Sequence, residues 1–587
     1  MINQDWFEMP DIRRRTFAKS VWIPLRAKNS IREEGKLGYE GYISEFFGAG
    51  SIVVPVNHKA DAEKLGWMDV GILHSHSGCV QDGEYIPAHL YKDFHGSFVG
   101  EHLVLEQRGN SIEHSEWYLS QDFVITLGLK REGDIWVRPD EGYIEIAKLS
   151  RKEDGSPISL EVRASHLKDY LCARGMALYL VSYRDRIIVA ENRDLVNWNL
   201  NTFSETNKMD RWEGRISEIH EGGMPFGESM AVFHITRTDV DPEEDVPTFG
   251  LPTDDSTISN SWTKKYSGKK LFIIEGELWR KEWIDPAVTS PLVREDEEIP
   301  TVFFITDSEG KMESKKSLIH GGRWLWFRPE VVMALTHYRG GSLSWYTRYT
   351  GSVSCSPDYK VTFGINPLGL VNVYAKDIGV LPEWQQKIWA GYNVAPDGKV
   401  SKELLKSQVE AKPADTQAPE TYLAVGLKLL KEVSKDKLGF SVLREHESLP
   451  ELLENTHRFR AIDKAGLYSL AKDVARLTAD SIDATAIQTI VKPPKGEKWG
   501  SLKSLENLLA KRVDPQIARS MLTSLVGAYD LRLGDAHLPS DKIGEAFDLV
   551  GIDQSLPLVH QAYQLLDECV KSIFRIVEVF MQWDETQ

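Results

Sequence analysis

A change of building material across a proline-bearing seam constrains this chain more than any other feature. Asn393-Val-Ala-Pro-Asp-Gly leads into a polar, helix-forming stretch and then into Ala411-Lys-Pro-Ala-Asp-Thr-Gln-Ala-Pro-Glu. Prolines among small polar residues, with no apolar period, predict a semi-rigid linker over residues 396–419. Of the 17 tryptophans only Trp499 and Trp583 follow that seam, so its two sides must fill their cores with different side chains. Two fold classes in one chain are the expectation.

Before the seam, short runs of Val, Ile, Tyr and Phe alternate with Gly, Asp and Asn turns. Ser51-Ile-Val-Val-Pro-Val, Phe123-Val-Ile-Thr-Leu-Gly-Leu, Ala177-Leu-Tyr-Leu-Val-Ser-Tyr, Lys270-Leu-Phe-Ile-Ile-Glu and Thr301-Val-Phe-Phe-Ile-Thr read as strands. Helices interrupt them at Ser165 to Arg174, with Ser165 as cap and Gly175 as stop, and at Pro382 to Trp389. This is an α+β pattern. Trp136-Val-Arg-Pro returns as Trp326-Phe-Arg-Pro, a hint of two related halves that places domains at 1–204 and 205–395.

After the seam the period becomes 3.6. Leu423, Val425, Leu427, Leu429 and Leu430 open a helix, Ala461 to Leu477 carries a second stripe, and Leu558 to Met581 a long last one. The strongest helix signal runs from Asp514, as N-cap with Pro515 behind it, to Gly534, with Ile517, Met521, Leu525 and Tyr529 on one face. Residues 420–587 therefore read as an all-helical bundle, large enough to hold its own core.

Composition narrows the function classes. A 42% apolar share with 10% aromatic and 27% charged residues describes a packed chain. No apolar run approaches the roughly 18 to 20 residues of a membrane span, and the first residues lack a basic then apolar leader, so a cytoplasmic location without membrane contact is expected. Four widely spaced cysteines form neither a disulfide framework nor a Cys-x-x-Cys knuckle. A formal charge of -17 excludes a general polyanion binder and confines any nucleic-acid contact to a local patch. Phosphate-loop, dinucleotide-fold, nucleophile-elbow and His-Glu-x-x-His signatures are all absent, so no cofactor is expected.

The candidate chemistry sits at the end of the strongest helix, in Asp530-Leu-Arg-Leu-Gly-Asp-Ala-His-Leu-Pro. Arg532 and His537 bring a fixed cation and a titratable imidazole to one helix end. Metal-free RNA cleavage needs both: a group that moves the proton of the ribose 2'-hydroxyl or of the leaving oxygen, and a cation for the charge growing on the phosphorane. A purely structural arrangement is equally open, with Arg532 paired to Asp530 or Asp535 and His537 capping backbone carbonyls.

An Arg-x4-His element in a C-terminal helical bundle resembles the HEPN superfamily of nucleotide-binding and ribonuclease domains. The resemblance covers about residues 420–587. It implies a metal-independent endoribonuclease site, built across a homodimer so that two motifs face each other, and a toxin or antiviral effector role. Active members commonly carry a polar residue directly after the Arg; this chain has Leu533 there, and Asp535 is the nearest polar candidate. That departure leaves a second reading: a degenerate HEPN-like bundle that serves only for dimerisation.

A positive loop precedes the element, where Lys495, Lys498, Trp499 and Lys503 could follow a phosphate backbone and stack a base. In the N-terminal region, His74, His76, His89, His95 and His102 cluster, and His74-Ser-His76 resembles the strand of the JAMM metallopeptidases. The Ser and Asp of that signature fall here on Glu84 and Pro87, leaving Asp82, Glu84 or Asp93 as carboxylates for an alternative metal hydrolase. The ligand or protein bound by residues 1–395 is not legible, and those residues are expected to form a sensor or partner-binding region.

Overall fold

The computed structural model describes residues 16–72, 79–81, 83–92, 97–108, 115–196, 198, 200–222, 230–237, 258–265, 268–294, 296, 299–445, 449–532 and 540–583. The N-terminal half is rich in strands and the C-terminal region is helical, as the change of period requires. The chain divides into two compact units, Met1–Glu298 and Ile299–Gln587.

The first unit is organised by one twelve-stranded sheet. Its strands are β1 (Trp22–Glu34), β2 (Ile43–Pro55), β3 (Leu90–Lys92), β4 (Phe98–Glu101), β5 (Lys130–Glu132), β6 (Ile135–Arg138), β7 (Ile144–Arg151), β8 (Pro157–Arg163), β9 (Met176–Ala190), β10 (Thr202–Thr206), β11 (Asp210–His220) and β12 (Lys270–Ile284). The order is β10-β11-β12-β9-β2-β1-β8-β7-β6-β5, with β4 pairing β2 and β3 pairing β4. The central β9 is antiparallel to both neighbours, with Leu178 opposite Ile284 on β12 and Val53 on β2.

Side-chain alternation along β9 divides the core by face. Leu178 and Leu180 pack with Leu167, Tyr170 and Leu171 of helix α1 (Ala164–Arg174). Tyr179 and Val181 turn to the other face, where they meet Trp67, Val70 and Val54. On β2, Gly48 makes room for that indole and Gly50 for the backbone of Val70 and Gly71 that follows it. A Cβ at Gly48 would stand 2.3 Å from Trp67, and one at Gly50 2.6 Å from the carbonyl of Val70. The ring therefore lies flat against bare backbone and stacks on Tyr183 at 5.9 Å.

The second unit holds a six-stranded sheet of β13 (Trp324–Phe327), β14 (Ser342–Thr347), β15 (Thr350–Ser354), β16 (Val361–Ile365), β17 (Val371–Tyr374) and β18 (Asn393–Val394), in the order β14-β15-β16-β17-β13-β18. It continues into α2 (Lys402–Val409), α3 (Pro419–Leu438), α4 (Lys464–Leu477), α5 (Ala484–Ile490), α6 (Ser501–Leu509), α7 (Pro515–Leu531), α8 (Ser540–Val550) and α9 (Leu558–Met581). Phe459 and Val559 of the helical region lie in the core of the sheet, among Phe327, Phe363 and Trp389.

A fully buried ion pair stands at this junction. Arg458 has no exposed side-chain surface and grips Glu420 in a two-point fork, Nε to Oε1 at 2.7 Å and Nη2 to Oε2 at 2.6 Å. Its Nη1 donates to the carbonyl of Arg348 at 2.8 Å. The guanidinium lies between the rings of Trp345 and Tyr563, 4.2 and 4.8 Å from their centroids. Strand β14, the start of α3 and the second turn of α9 are thereby held by one cation.

Four sequence expectations change. A boundary at 204/205 would cut β10, which pairs with β11 from Thr202 to Thr206, so the Trp-Val-Arg-Pro and Trp-Phe-Arg-Pro segments end strands of two different sheets and mark no pair of halves meeting there. Residues 396–419 do not form a free linker. Glu403 on α2 accepts bonds from the Tyr349 N–H at 2.9 Å and from the Thr347 and Thr416 hydroxyls, while Leu404 is buried. Phe123 begins no strand: Gln121–Thr126 is a helical turn with Phe123 packed on Tyr170, because a short apolar run does not itself distinguish strand from buried helix. Ser165 is likewise no cap, since α1 starts a residue earlier, whereas Gly175 stops the helix with φ +66°.

Two stability measurements follow. Glu420→Ala strands a buried guanidinium and should cost about 3–5 kcal/mol in denaturant unfolding, with Glu420→Gln retaining part of it. Burial pushes the His457 imidazole down to about 4, and its Nδ1 has no hydrogen-bond partner among the described residues. The unfolded chain binds that proton near pH 6.5, so the stability attached to His457 is complete above that pH. It falls as pH drops towards 4, by up to about 1.4 kcal/mol per pH unit. His457→Phe should flatten this part of the stability profile.

Candidate functional site

Helix α7 begins as its sequence requires: the Asp514 side chain accepts the N–H of Gln516 at 2.8 Å, and Pro515 follows. The buried face is rotated from the expected stripe. Ala518, Leu522, Leu525, Ala528 and Leu531 face the core, while Ile517 is 51% exposed. Close approach of α8 sets this rotation, because a Cβ on Gly527 would meet Val550 at 2.6 Å and the carbonyl of Ala546 at 2.9 Å. Tyr529 consequently stands half-buried at the rim.

Arg532 lies at the C-cap of α7, its guanidinium 3.5 Å from the Tyr529 ring centroid. Nη1 donates to Asp480 Oδ2 at 2.6 Å, and the pair is partly exposed, at 22% and 41%. Asp480 sits in the turn after α4, its N–H bonded to the Ala475 carbonyl and its own carbonyl taken by Arg444. The expected partner Asp530 is replaced by this more distant carboxylate. Burial raises the Asp530 carboxyl, and Arg532 and Lys542 oppose that shift. Asp535 and His537 lie outside the described residues. The structure thus brings Arg532 to Asp480 and Tyr529, a contact 52 positions apart that no local motif announces.

The lysine loop joins α5 to α6. Lys492, Lys495 and Lys498 are exposed and form no ion pair among the described residues. Lys503 pairs with Glu506 at 2.9 Å. Trp499 is half-buried, its indole N–H donating to Glu497 at 3.0 Å and its carbonyl accepting from Gln488. The loop presents ammonium groups, and its tryptophan is held against the loop itself.

In the first unit, His74, His76, His95, Asp82 and Asp93 lie outside the described residues. His102 is buried against Tyr91, ring edge to face at 5.5 Å, and its N–H bonds the His89 carbonyl, while Glu84 is exposed. Among the described residues no His, Cys, Asp and Glu groups gather with metal-ligand geometry.

An acidic row crosses three strands of the large sheet, with Asp185 on β9 opposite Glu277 on β12, itself opposite Glu213 on β11. Like charges directly opposite repel. Burial first, and then Glu277 and Glu275, push the Asp185 carboxyl up to about 6. The Tyr183 hydroxyl donates to Glu277 at 2.6 Å, and Arg215 pairs with Glu275 at 2.5 Å. This row had no signal in the sequence, because it arises from register.

No family model, curated protein or solved structure matches the chain.

Since the folded Asp185 carboxyl titrates above its unfolded value, stability falls as pH rises from about 4 to 6 and stays reduced above. Asp185→Asn should therefore raise unfolding stability at pH 7 by about 1–2 kcal/mol after solvent screening, and leave it unchanged near pH 4. Calorimetry at both pH values checks this.

Proposed function

We propose that the helical region is a metal-independent endoribonuclease of the HEPN type, acting as a toxin or antiviral effector, and that the strand-rich unit serves as its sensor or partner-binding part. The observation that carries the reading is the Arg532 guanidinium: a partly exposed cation at a helix end, set in place by Asp480 and Tyr529 rather than free in solvent. A carboxylate on Nη1 orients the planar fork, and Nε and Nη2 form no ion pair among the described residues, so they are the donors this reading assigns to phosphate oxygens. The exposed Lys495 and Lys498 supply a local positive track in an acidic chain.

In this mechanism the His537 imidazole takes the 2'-hydroxyl proton, and the 2'-oxygen attacks phosphorus in line. Arg532 neutralises the charge on the phosphorane, and the P–O5' bond breaks as the leaving oxygen gains a proton. The products are a 2',3'-cyclic phosphate and a 5'-hydroxyl, with no change of oxidation state. A homodimer would place a second imidazole opposite the first, to act as the acid. Asp535 is the remaining polar candidate beside the motif.

One observation favours the alternative of a non-catalytic dimerisation bundle: the Arg532 charge is already paired with Asp480. Incubation with total RNA in EDTA separates the two. The nuclease reading expects discrete cuts with cyclic phosphate ends, lost by about a hundredfold or more in Arg532→Ala and in His537→Ala. Full cleavage by His537→Ala refutes the assignment, and no cleavage by the parent protein leaves the dimerisation reading. Lys495→Glu with Lys498→Glu should weaken RNA binding and lower its salt slope by about one to two.

A further inference from the structure

One face of the large sheet carries a lattice of rings. Directly opposite pairs place Tyr179 against Trp283, Tyr183 against Trp279, and Trp279 against Arg211 on the next strand. Trp67 leans onto this face from the segment after β2, held by the glycines described above. Trp67, Tyr179, Trp279 and Trp283 together line a cavity of about 570 Å³. That volume falls within the roughly 300–1,000 Å³ of small-molecule sites.

The charge around this cavity runs against the charge of the chain. Five cationic residues and three anionic ones line it, in a protein of net charge -17. Arg280 and Asp210 neutralise each other in a buried two-point pair, with Nε to Oδ1 at 2.8 Å. The Asp69 carboxylate is bonded to the Gly66 N–H at 2.7 Å. At the rim, Lys64 and Lys208 are exposed, and Arg211 stands 4.9 Å over the Trp279 ring with its Nε and Nη2 on Glu213, an exposed pair whose Nη1 is left for a phosphate oxygen. The Lys281 ammonium, hydrogen-bonded to the Glu63 carbonyl at 3.1 Å, adds a further donor.

We infer that this cavity binds a free nucleotide, its base stacked on Trp279 and Trp283 over a floor that includes the buried Tyr179, and its phosphate at the Lys208, Arg211 and Lys281 rim. Indole faces stack any base, and guanidinium and ammonium groups grip phosphate oxygens. The acidic pair of Asp185 and Glu277 lies one cross-strand pair beyond Tyr183 and Trp279, whereas Glu213 beside it is bound to Arg211. The acidic pair would repel the next phosphates of a polynucleotide, which is why the occupant is a mononucleotide rather than a strand of RNA. The site belongs to the strand-rich unit and does not rest on the RNA-cleavage reading.

Isothermal titration calorimetry of the full chain tests this directly, and no step of it reads RNA cleavage. The probes are the four ribonucleoside 5'-monophosphates and triphosphates, with the nucleosides and ribose 5-phosphate as half-ligands. At least one nucleotide should bind, and its nucleoside and ribose 5-phosphate should each bind roughly tenfold more weakly or worse. Trp279→Ala should weaken that nucleotide by about tenfold, and Trp279→Phe, which keeps a ring, should restore most of it. Arg211→Ala should weaken the phosphorylated probes and leave the nucleoside unchanged. Because Trp279 is half-buried, circular dichroism and melting of each variant accompany the titrations, and Arg211→Ala, at an exposed side chain, serves where Trp279→Ala fails to fold. The proposal is overturned if no nucleotide binds at up to about 5 mM, or if binding is the same in Arg211→Ala, in any folded Trp279→Ala and in the parent protein.

Discussion

The second unit depends on one desolvated cation. Arg458 is removed from water entirely, so its charge is tolerable only because Glu420 meets it with two oxygens and two rings cover its faces. These partners come from strand β14, helix α3 and helix α9, so none can shift without uncovering the charge. The same constraint explains why sheet and helices share a core through Phe459 and Val559. A hydrophobic junction would tolerate sliding; a buried fork has one geometry.

The first unit rests on register. With β9 and β12 paired from Leu178 opposite Ile284 to Ala190 opposite Phe272, every second residue of both strands is delivered to one face. Rings collect at one end of that face and carboxylates at the other, from residues separated by about a hundred positions. A one-residue slip would turn Tyr179, Tyr183 and Trp279 to the opposite core. The glycines of β2 add the last requirement, since only bare backbone lets Trp67 lie against the sheet.

At the helical end, the cap and the proline start of α7 were legible because they are local: a carboxylate two residues from an N–H, and a ring that presets φ. The orientation of α7 was not, because Gly527 lets α8 approach closely and the contact turns the helix past its apparent stripe. Arg532 stood out as a cation at a helix end, but its partner Asp480 belongs to a turn distant in sequence. The seam near residue 400 was visible as composition, yet Glu403 and Leu404 pin it to the sheet.

The order of residues by itself determined the change from strands to helices, the positions where α7, α9 and β9 form, and the acidic character that confines polyanion contacts to patches. These follow from periodicity, caps and charge, which act over a few residues or over the whole chain at once. Only tertiary structure decided the division at 298/299, the partner of Arg532, the pairing of Arg458 with Glu420, and the aromatic and acidic rows on the large sheet. Each depends on which distant segments come within a few ångströms, where desolvation and register select a single arrangement from many that local preferences leave equal.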